Sequence, residues 1–89
     1  MIWRASPMAA AWRRLAKTED GQKVLGDLFR EGRLLEPCFV PGDPYQTAFN
    51  EGRRRLALHV LSLVNMTPER ALELAELARR SYHHDRHPL

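Results

Sequence analysis

Three dipeptides in this chain place a helix-capping side chain directly before a proline, and they constrain its fold more than any other feature. They are Ser6-Pro7, Asp43-Pro44 and Thr67-Pro68. The capping side chain can accept a hydrogen bond from a backbone N–H of the first helical turn. Proline suits the first helical position because its missing N–H would be unpaired there in any case. Three helices are therefore predicted to begin at residues 7, 44 and 68.

A fourth helix start is predicted at Thr18, because the two residues after it, Glu19 and Asp20, are acidic and suit the positive end of a helix. Gln46, three residues after Asp43, completes the spacing of a capping box. The apolar periodicity after each start predicts four helices, at about 7–17, 19–31, 44–64 and 68–82. The expected fold is an all-α bundle of about four helices.

The apolar residues of the first, second and fourth helices fall on one face of each helix, and these faces are expected to form the core. They are Met8, Trp12 and Leu15 in the first helix, Val24, Leu25, Leu28 and Phe29 in the second, and Ala71, Leu74, Ala75, Ala78 and Tyr82 in the fourth. Gly32 is expected to end the second helix.

The third helix carries an apolar stripe within about 120° of arc, if successive residues advance by 100°. The stripe is predicted to be buried, and it consists of Tyr45, Ala48, Phe49, Gly52, Leu56, His59, Val60 and Leu63. Glycine costs roughly 1 kcal/mol relative to alanine inside a helix, so Gly52 is expected to permit close approach of another helix. Beyond Leu56 the apolar arc widens to include Leu58 and Leu61. Part of it is expected to be enclosed and part to contact a second subunit or a partner.

The two connections around the third helix differ in kind. Only Asn65 and Met66 separate it from the cap of the fourth helix, which predicts an antiparallel hairpin of helices 3 and 4. The connection over residues 33–42, called the strap below, is apolar and interrupted by prolines. It is predicted to lie across the helices through Leu34, Leu35, Phe39 and Val40. Residues 83–89 are expected to fray, which leaves one helical domain with an ordered core over 7–82.

Composition excludes several classes of protein. The net charge of +3, from 14 basic and 11 acidic side chains, supports nucleic-acid binding only weakly. The sole cysteine, Cys38, cannot form an internal disulfide and favours a reducing compartment. No run approaches the ~18 to 20 apolar residues of a membrane helix, and the N-terminus lacks the apolar core of a signal peptide. The expectation is a soluble intracellular protein.

No motif indicates catalysis. The sequence lacks a glycine-rich phosphate loop, paired catalytic carboxylates and a nucleophile motif, so neither an enzyme nor a cofactor is expected. His83 and His87 have the spacing of two metal ligands, but with only Asp85 beside them they fall short of a zinc site. His59 is predicted to be a buried core histidine, and Cys38 a small buried apolar residue.

Polar residues of the third helix leave two interpretations open. Arg53, Arg54 and Arg55 diverge by 100° each, so they do not form one phosphate-binding patch and are expected to pair with acidic neighbours such as Glu51. A polar ladder with i, i+4, i+7 and i+8 spacing is formed by Gln46, Asn50, Arg53 and Arg54. The ladder is either an ordinary exposed face or a hydrogen-bonding contact surface.

Two segments resemble a family of small proteins of tailed bacteriophages and prophages, whose type member comes from a podovirus of Bordetella. The first has the pattern G-Q-x-V-L-x-D-L over residues 21–28, and the second has D-P-Y-x-T-A-F-N-E-G-x-R over 43–54. The resemblance covers about residues 18–64. It implies a gene in the head-and-packaging cluster and a product made in the cytoplasm of the bacterial host, with incorporation in the virion left open. It brings no catalytic residues.

The leading hypothesis is therefore a non-enzymatic phage protein that contacts other phage structural or assembly proteins. The expected contact residues are Phe39, Tyr45, Gln46, Phe49, Asn50, Arg53, Arg54, Leu58 and Leu61. Leu58 and Leu61 also favour self-association into a homo-oligomer. The alternative is a DNA-binding accessory protein of packaging or transcription, whose basic face would combine Arg13, Arg14, Arg53, Arg54, Arg79 and Arg80.

Overall fold

The computed structural model describes residues 6–34 and 36–84, and over these residues the regular structure consists of helices. They are α1 (Pro7–Leu15), α2 (Glu19–Glu31), α3 (Pro44–Val64) and α4 (Pro68–His84). The predicted all-α architecture is confirmed. α1 ends two residues earlier than predicted and α4 continues two residues further; the rest of the tail expected to fray lies outside the described residues.

All four predicted helix caps are confirmed. The capping oxygens accept backbone N–H bonds at 2.8 to 3.1 Å, from Ala9 to Ser6, from Gly21 to Thr18, from Gln46 to Asp43 and from Arg70 to Thr67. The capping box at α3 is half formed, because the backbone N–H of Asp43 donates to the carbonyl oxygen of Val40 at 3.1 Å and the side chain of Gln46 donates to Asn50 Oδ1 at 2.9 Å. Local polar chemistry thus sets where each helix begins.

α4 packs along α2, and the two helices run parallel. Their contacts follow the same order along both helices: Gln22 with Arg70, Gly26 with Leu74, and Arg30 with the ring of Tyr82. The predicted antiparallel hairpin of α3 and α4 is not the packing observed. Asn65 ends α3 in the left-handed conformation at φ 55°, where the chain changes direction, and the apolar face of α4 then meets α2.

Gly26 permits close packing of α2 against α4, whereas the close approach expected at Gly52 is not made by any helix of the described chain. A Cβ at Gly26 would lie 2.3 Å from the backbone oxygen of Leu74, so only glycine allows α4 to come this close. A Cβ at Gly52 would meet no described atom within 4 Å. Gly32 does follow the end of α2, but the left-handed residue there is Arg33, at φ 53°.

The core lies where α2 and α4 meet the C-terminal half of α3. Its buried members are Leu25, Phe29, Leu34, Ala57, Val60, Val64 and Ala71, and Trp12, Ala16, Leu28, Leu61, Met66 and Ala75 pack against them. The predicted faces of α1, α2 and α4 are correct near this centre. Four of their members, Met8, Leu15, Val24 and Tyr82, are exposed instead.

α3 presents a different face to the core than its hydrophobicity predicts. Its buried residues are Asn50, Ala57, Val60 and Val64. Most of the stripe predicted to be buried is exposed, including Tyr45 at 88%, Phe49 at 61% and Leu56 at 59%. The buried arc is centred about 100° around the helix from the predicted stripe. The predicted burial is therefore correct for Val60 and wrong for most of the stripe, and His59, expected in the core, is exposed.

Candidate protein-contact surface

Three polar side chains on one face of α3 hold the strap against the helix. The backbone N–H of Val40 donates to Thr47 Oγ1 at 2.8 Å, and Asn50 Nδ2 donates to the carbonyl oxygen of Cys38 at 3.1 Å. Arg54 Nε donates to the carbonyl oxygen of Leu34 at 2.8 Å. Positions 47, 50 and 54 follow i, i+3, i+7 spacing and share one helix face. This polar face is buried because the strap needs partners for its backbone groups.

Asn50 is the centre of this arrangement and is only 3% exposed. Besides its bond to the strap, its Oδ1 accepts hydrogen bonds from Gln46 Nε2 and Arg53 Nη2, both at 2.9 Å. The Asn50 amide thus donates one hydrogen bond and accepts two, all with neighbours within the chain. The sequence left open whether the polar ladder is an ordinary exposed face or a contact surface. In the structure, its side chains are hydrogen-bonded to other groups of the same chain.

The arginine triplet also differs from its prediction. Arg53 lies over the ring of Phe49, with its guanidinium carbon 5.0 Å from the ring centroid, and Arg54 faces the strap. Arg55 is exposed. Within residues 6–34 and 36–84, Glu51 forms no ion pair with any of them. The expected pairing with Glu51 is wrong, because Arg53 binds Asn50 and Arg54 binds the carbonyl oxygen of Leu34 instead.

The strap is buried at one end and exposed in its middle. Leu34 is buried in the core, and Val40 is half-buried. Cys38 is half-buried, whereas Phe39 beside it is 71% exposed. Leu35 lies outside the described residues. The strap therefore covers the polar face of α3 and directs Phe39 to solvent.

Because the strap occupies one side of α3, the other side is left with an exposed apolar stripe over three turns. This outer stripe consists of Tyr45, Ala48, Phe49, Gly52 and Leu56. Contiguous exposed apolar patches on small proteins mark contact sites more often than isolated apolar residues do. The outer stripe is the most continuous feature of this kind on α3.

Two open clefts lie on either side of the outer stripe. One, of about 990 Å³, lies between the strap and α3, with Phe39, Gly52 and Leu58 in its walls and Glu51 and Arg55 among its charged residues. The other, of about 400 Å³, lies between α2 and α3 and has a mainly apolar lining that includes Val24, Leu28 and Leu56. The outer stripe is thus a ridge, with room for another chain on both sides.

The nine predicted contact residues divide between this ridge and the interior. Phe39, Tyr45, Phe49 and Leu58 are exposed, and so is Gln46. The other four, Asn50, Arg53, Arg54 and Leu61, face the strap, Asn50 or the core. Ala48, Gly52 and Leu56 were not predicted to lie on the surface, because their regular spacing assigned them to the buried stripe.

The perturbed ionisable groups lie away from the outer stripe. A hydrogen bond from Arg79, with the charges of Arg79 and Arg80, lowers the pKa of Glu76. Burial is the largest single influence on Arg30 and acts to lower its pKa, but Asp27 and Glu31 together outweigh it and raise the pKa. These pairs belong to the packing of α2 and α4, and nothing in them indicates acid–base chemistry at the ridge.

The described part of the chain offers neither a metal-binding cluster nor a helix that could span a membrane. No group of three or more His, Cys, Asp or Glu side chains there could hold a metal ion. None of the described helices is both long and apolar enough to cross a membrane. The His83 and His87 pair lies partly outside the described residues.

The sequence model of one phage protein family matches residues 12–79, from the middle of α1 to the last turns of α4. This chain belongs to the Bbp19-like phage proteins. The match to the Bbp19-like family is wider than the resemblance over residues 18–64 indicated, and it includes the strap and the whole of α3. No curated protein and no solved structure matches the chain significantly.

Proposed function

We propose that this Bbp19-like protein works by non-enzymatic protein–protein contact in virion structure or assembly, and that the outer stripe and Phe39 form its contact surface. The observation that carries the proposal is the exposure of a regular apolar stripe on a helix whose opposite face is already occupied. A helix with this pattern suits packing against another helix or a groove.

The residue types on the ridge support the same proposal. Tyr45, Phe49 and Phe39 are large aromatic side chains with few rotatable bonds, so they lose little conformational entropy when a partner covers them. Aromatic residues of this kind often supply most of the binding energy of an interface. The head-and-packaging gene context implied by the resemblance indicates other phage structural or assembly proteins as the partners.

A pull-down against the structural proteins of the parent phage tests the proposal. The double variant Tyr45→Ser/Phe49→Ser is expected to lose at least about tenfold of the captured partner, because it removes two aromatic anchors. The matched control is Leu72→Ser/Leu77→Ser, which removes two side chains of similar exposure from α4. Circular dichroism confirms that each variant is folded. Equal capture by the two double variants would contradict the proposal.

The DNA-binding alternative has less support. Of the six arginines it would combine, Arg53 and Arg54 are bonded to Asn50 and Leu34, and Arg79 and Arg80 pair with Glu76. Arg13 and Arg14 are exposed on α1. Electrostatic DNA binding weakens steeply with salt, so we expect no binding to duplex DNA even at low salt. Salt-sensitive binding that Arg13→Ala/Arg14→Ala abolishes would favour the alternative.

A further inference from the structure

We infer that the outer stripe docks against the outer stripe of a second copy of this chain, with the two α3 helices antiparallel and crossing at Gly52. The inference rests on the proposed use of this surface and names an occupant for it. Three features of the ridge support a second copy: small residues at its centre, a two-fold complementary pattern of side chains, and an area that reaches the size of a stable interface.

The centre of the outer stripe is small and unobstructed. Ala48 and Gly52 are one helical turn apart and both are exposed. A Cβ at Gly52 would contact no described atom within 4 Å, so the backbone there is open to a neighbour. Packed helices lie about 8–10 Å apart, and small residues at the contact allow the shorter distances. The ridge can therefore accept another helix backbone.

Antiparallel pairing about Gly52 matches large residues with small or polar ones. When Gly52 of one copy faces Gly52 of the other, Ala48 faces Leu56 and Tyr45 faces His59. The contact between the two Gly52 residues lies on the two-fold axis, and each of the other two contacts occurs twice, as a two-fold interface requires. All of these side chains are exposed, so the pairing needs no rearrangement of the fold.

The charges beside the stripe select this orientation. Glu51 and Arg55 lie on one flank of α3, whereas Phe49 and Leu56 lie on the other. In an antiparallel pair like flanks meet, which brings Glu51 of each copy to Arg55 of the other. A parallel pair would set these charges against the apolar flank. Within the described chain neither Glu51 nor Arg55 forms an ion pair, so both are available.

The area is sufficient for a dimer of moderate affinity. Tyr45, Phe49, Leu56 and Phe39 are each more than half exposed. At roughly 200 Å² for a large side chain, covering them and their small neighbours on both copies buries roughly 1,100–1,500 Å² in total. Stable interfaces begin at about 1,200 Å². We therefore expect a dimer with a dissociation constant in the micromolar range.

Sedimentation equilibrium with charge-swapped variants tests the inference. Glu51→Arg sets arginine against Arg55, and Arg55→Glu sets glutamate against Glu51, so each variant is expected to raise the dimer dissociation constant at least about tenfold. An equimolar mixture of the two is expected to form heterodimers, because both cross-pairs are then of opposite charge. The double variant Glu51→Arg/Arg55→Glu is expected to dimerise like the native chain.

Glu69→Arg is the matched control, since it makes the same change in charge at an exposed site on α4. A native chain that stays monomeric at the highest concentration would overturn the inference. So would a dimer that none of the charge variants weakens, because it would use another face. A strict monomer that still captures a phage protein through Tyr45 and Phe49 leaves the proposed function standing. A dimer that forms through the outer stripe, together with no captured phage protein, would support the inference and contradict the proposed phage partner.

Discussion

Gly26 and Gly52 both lie inside helices, and their surroundings are opposite. At Gly26 a side chain would collide with the backbone of Leu74, which cannot move away as a flexible side chain can. We expect Gly26→Ala to lower the free energy of unfolding by about 2–3 kcal/mol through overpacking of α2 against α4. Gly52→Ala is expected to raise it by up to about 1 kcal/mol, because alanine is the better helix former and the site is open.

Urea denaturation measures the change in the free energy of unfolding for both variants, at a protein concentration below the expected dimer dissociation constant. The two variants add the same methyl group to the same residue type, so each is the control for the other. Equal effects on the free energy of unfolding would show that close packing at Gly26 is unimportant.

The second prediction for a single residue concerns Asn50. Asn50→Ala leaves the carbonyl oxygen of Cys38 without its donor and removes the acceptor used by Gln46 and Arg53. Loss of buried hydrogen-bond partners costs about 1–3 kcal/mol, and we expect a decrease of about 2 kcal/mol in the free energy of unfolding. Gln46→Ala, at the exposed end of the same network, is the control and is expected to cost less than half as much. A smaller effect of Asn50→Ala than of Gln46→Ala would contradict this role.

At the scale of elements, the ends of the helices were predictable and the orientation of α3 was not. Caps such as Ser6 and Asp43 act on backbone groups three residues away, so the sequence contains all that is needed. The buried side of α3 depends on the strap, whose backbone binds Thr47, Asn50 and Arg54. Hydrophobic periodicity assigns polar residues to solvent, so it assigned the apolar outer stripe to the core.

The candidate surface was predictable only in part for the same reason. Phe39, Tyr45 and Phe49 were named as candidate contact residues, and they are exposed, as a contact surface requires. Asn50 and Arg54 were named for the same surface, but their partners on the strap lie 12 and 20 residues away in sequence. No local pattern shows that a loop will return to the helix at these positions.

The contribution of the Glu76–Arg79 pair on α4 to stability is expected to depend on pH. The pKa of Glu76 lies below its ordinary value of 4.5, chiefly because Arg79 donates a hydrogen bond to it. A carboxyl group whose pKa is lowered in the folded state adds stability above its ordinary pKa, and that stability is lost as the pH falls through the lower folded value. We expect a small contribution, because the group is exposed to solvent.

The measurement is the melting temperature of the native chain and of Glu76→Gln between pH 7 and pH 3. The native chain is expected to melt slightly higher near neutral pH, and the difference is expected to decrease as the pH falls below the ordinary carboxyl pKa of 4.5. Glu69→Gln serves as the control, since the Glu69 carboxylate forms no ion pair within the described chain. A difference that persists unchanged at pH 3 would contradict the assignment.

At the scale of the whole molecule, α3 is the connection between two parallel helices. Because α2 and α4 run in the same direction, the chain must travel back along α2 before α4 can begin. α3, with 21 residues, is about 31 Å long, whereas α2, with 13 residues, is about 20 Å long. The end of α2 at Gly32 lies beside Arg53 and Ala57. The first nine residues of α3 therefore extend past the end of α2, and within the described chain it is the strap that packs against them.

This geometry predicts unequal local stability along α3. Residues 44–52 bury only Asn50, whereas the second half of the helix buries Ala57, Val60 and Val64. Regions with few buried contacts open at lower free energy. Amide hydrogen exchange at low concentration is expected to be at least about tenfold faster at 48–52 than at 57–64, and slower at 48–52 when the protein is concentrated enough to dimerise. Uniform protection along α3 in the dilute protein would contradict this prediction.

The projecting end of α3 has a consequence for how a chain of this type can diversify. Tyr45 and Phe49 contribute little to the buried core, so substitutions there are expected to change binding with little effect on folding. In many proteins a change in specificity lowers stability, because the binding residues are also packing residues. Here the two requirements fall on opposite sides of one helix. The same scaffold can therefore acquire new partners by replacing outer-stripe residues while Asn50 and the strap preserve the fold.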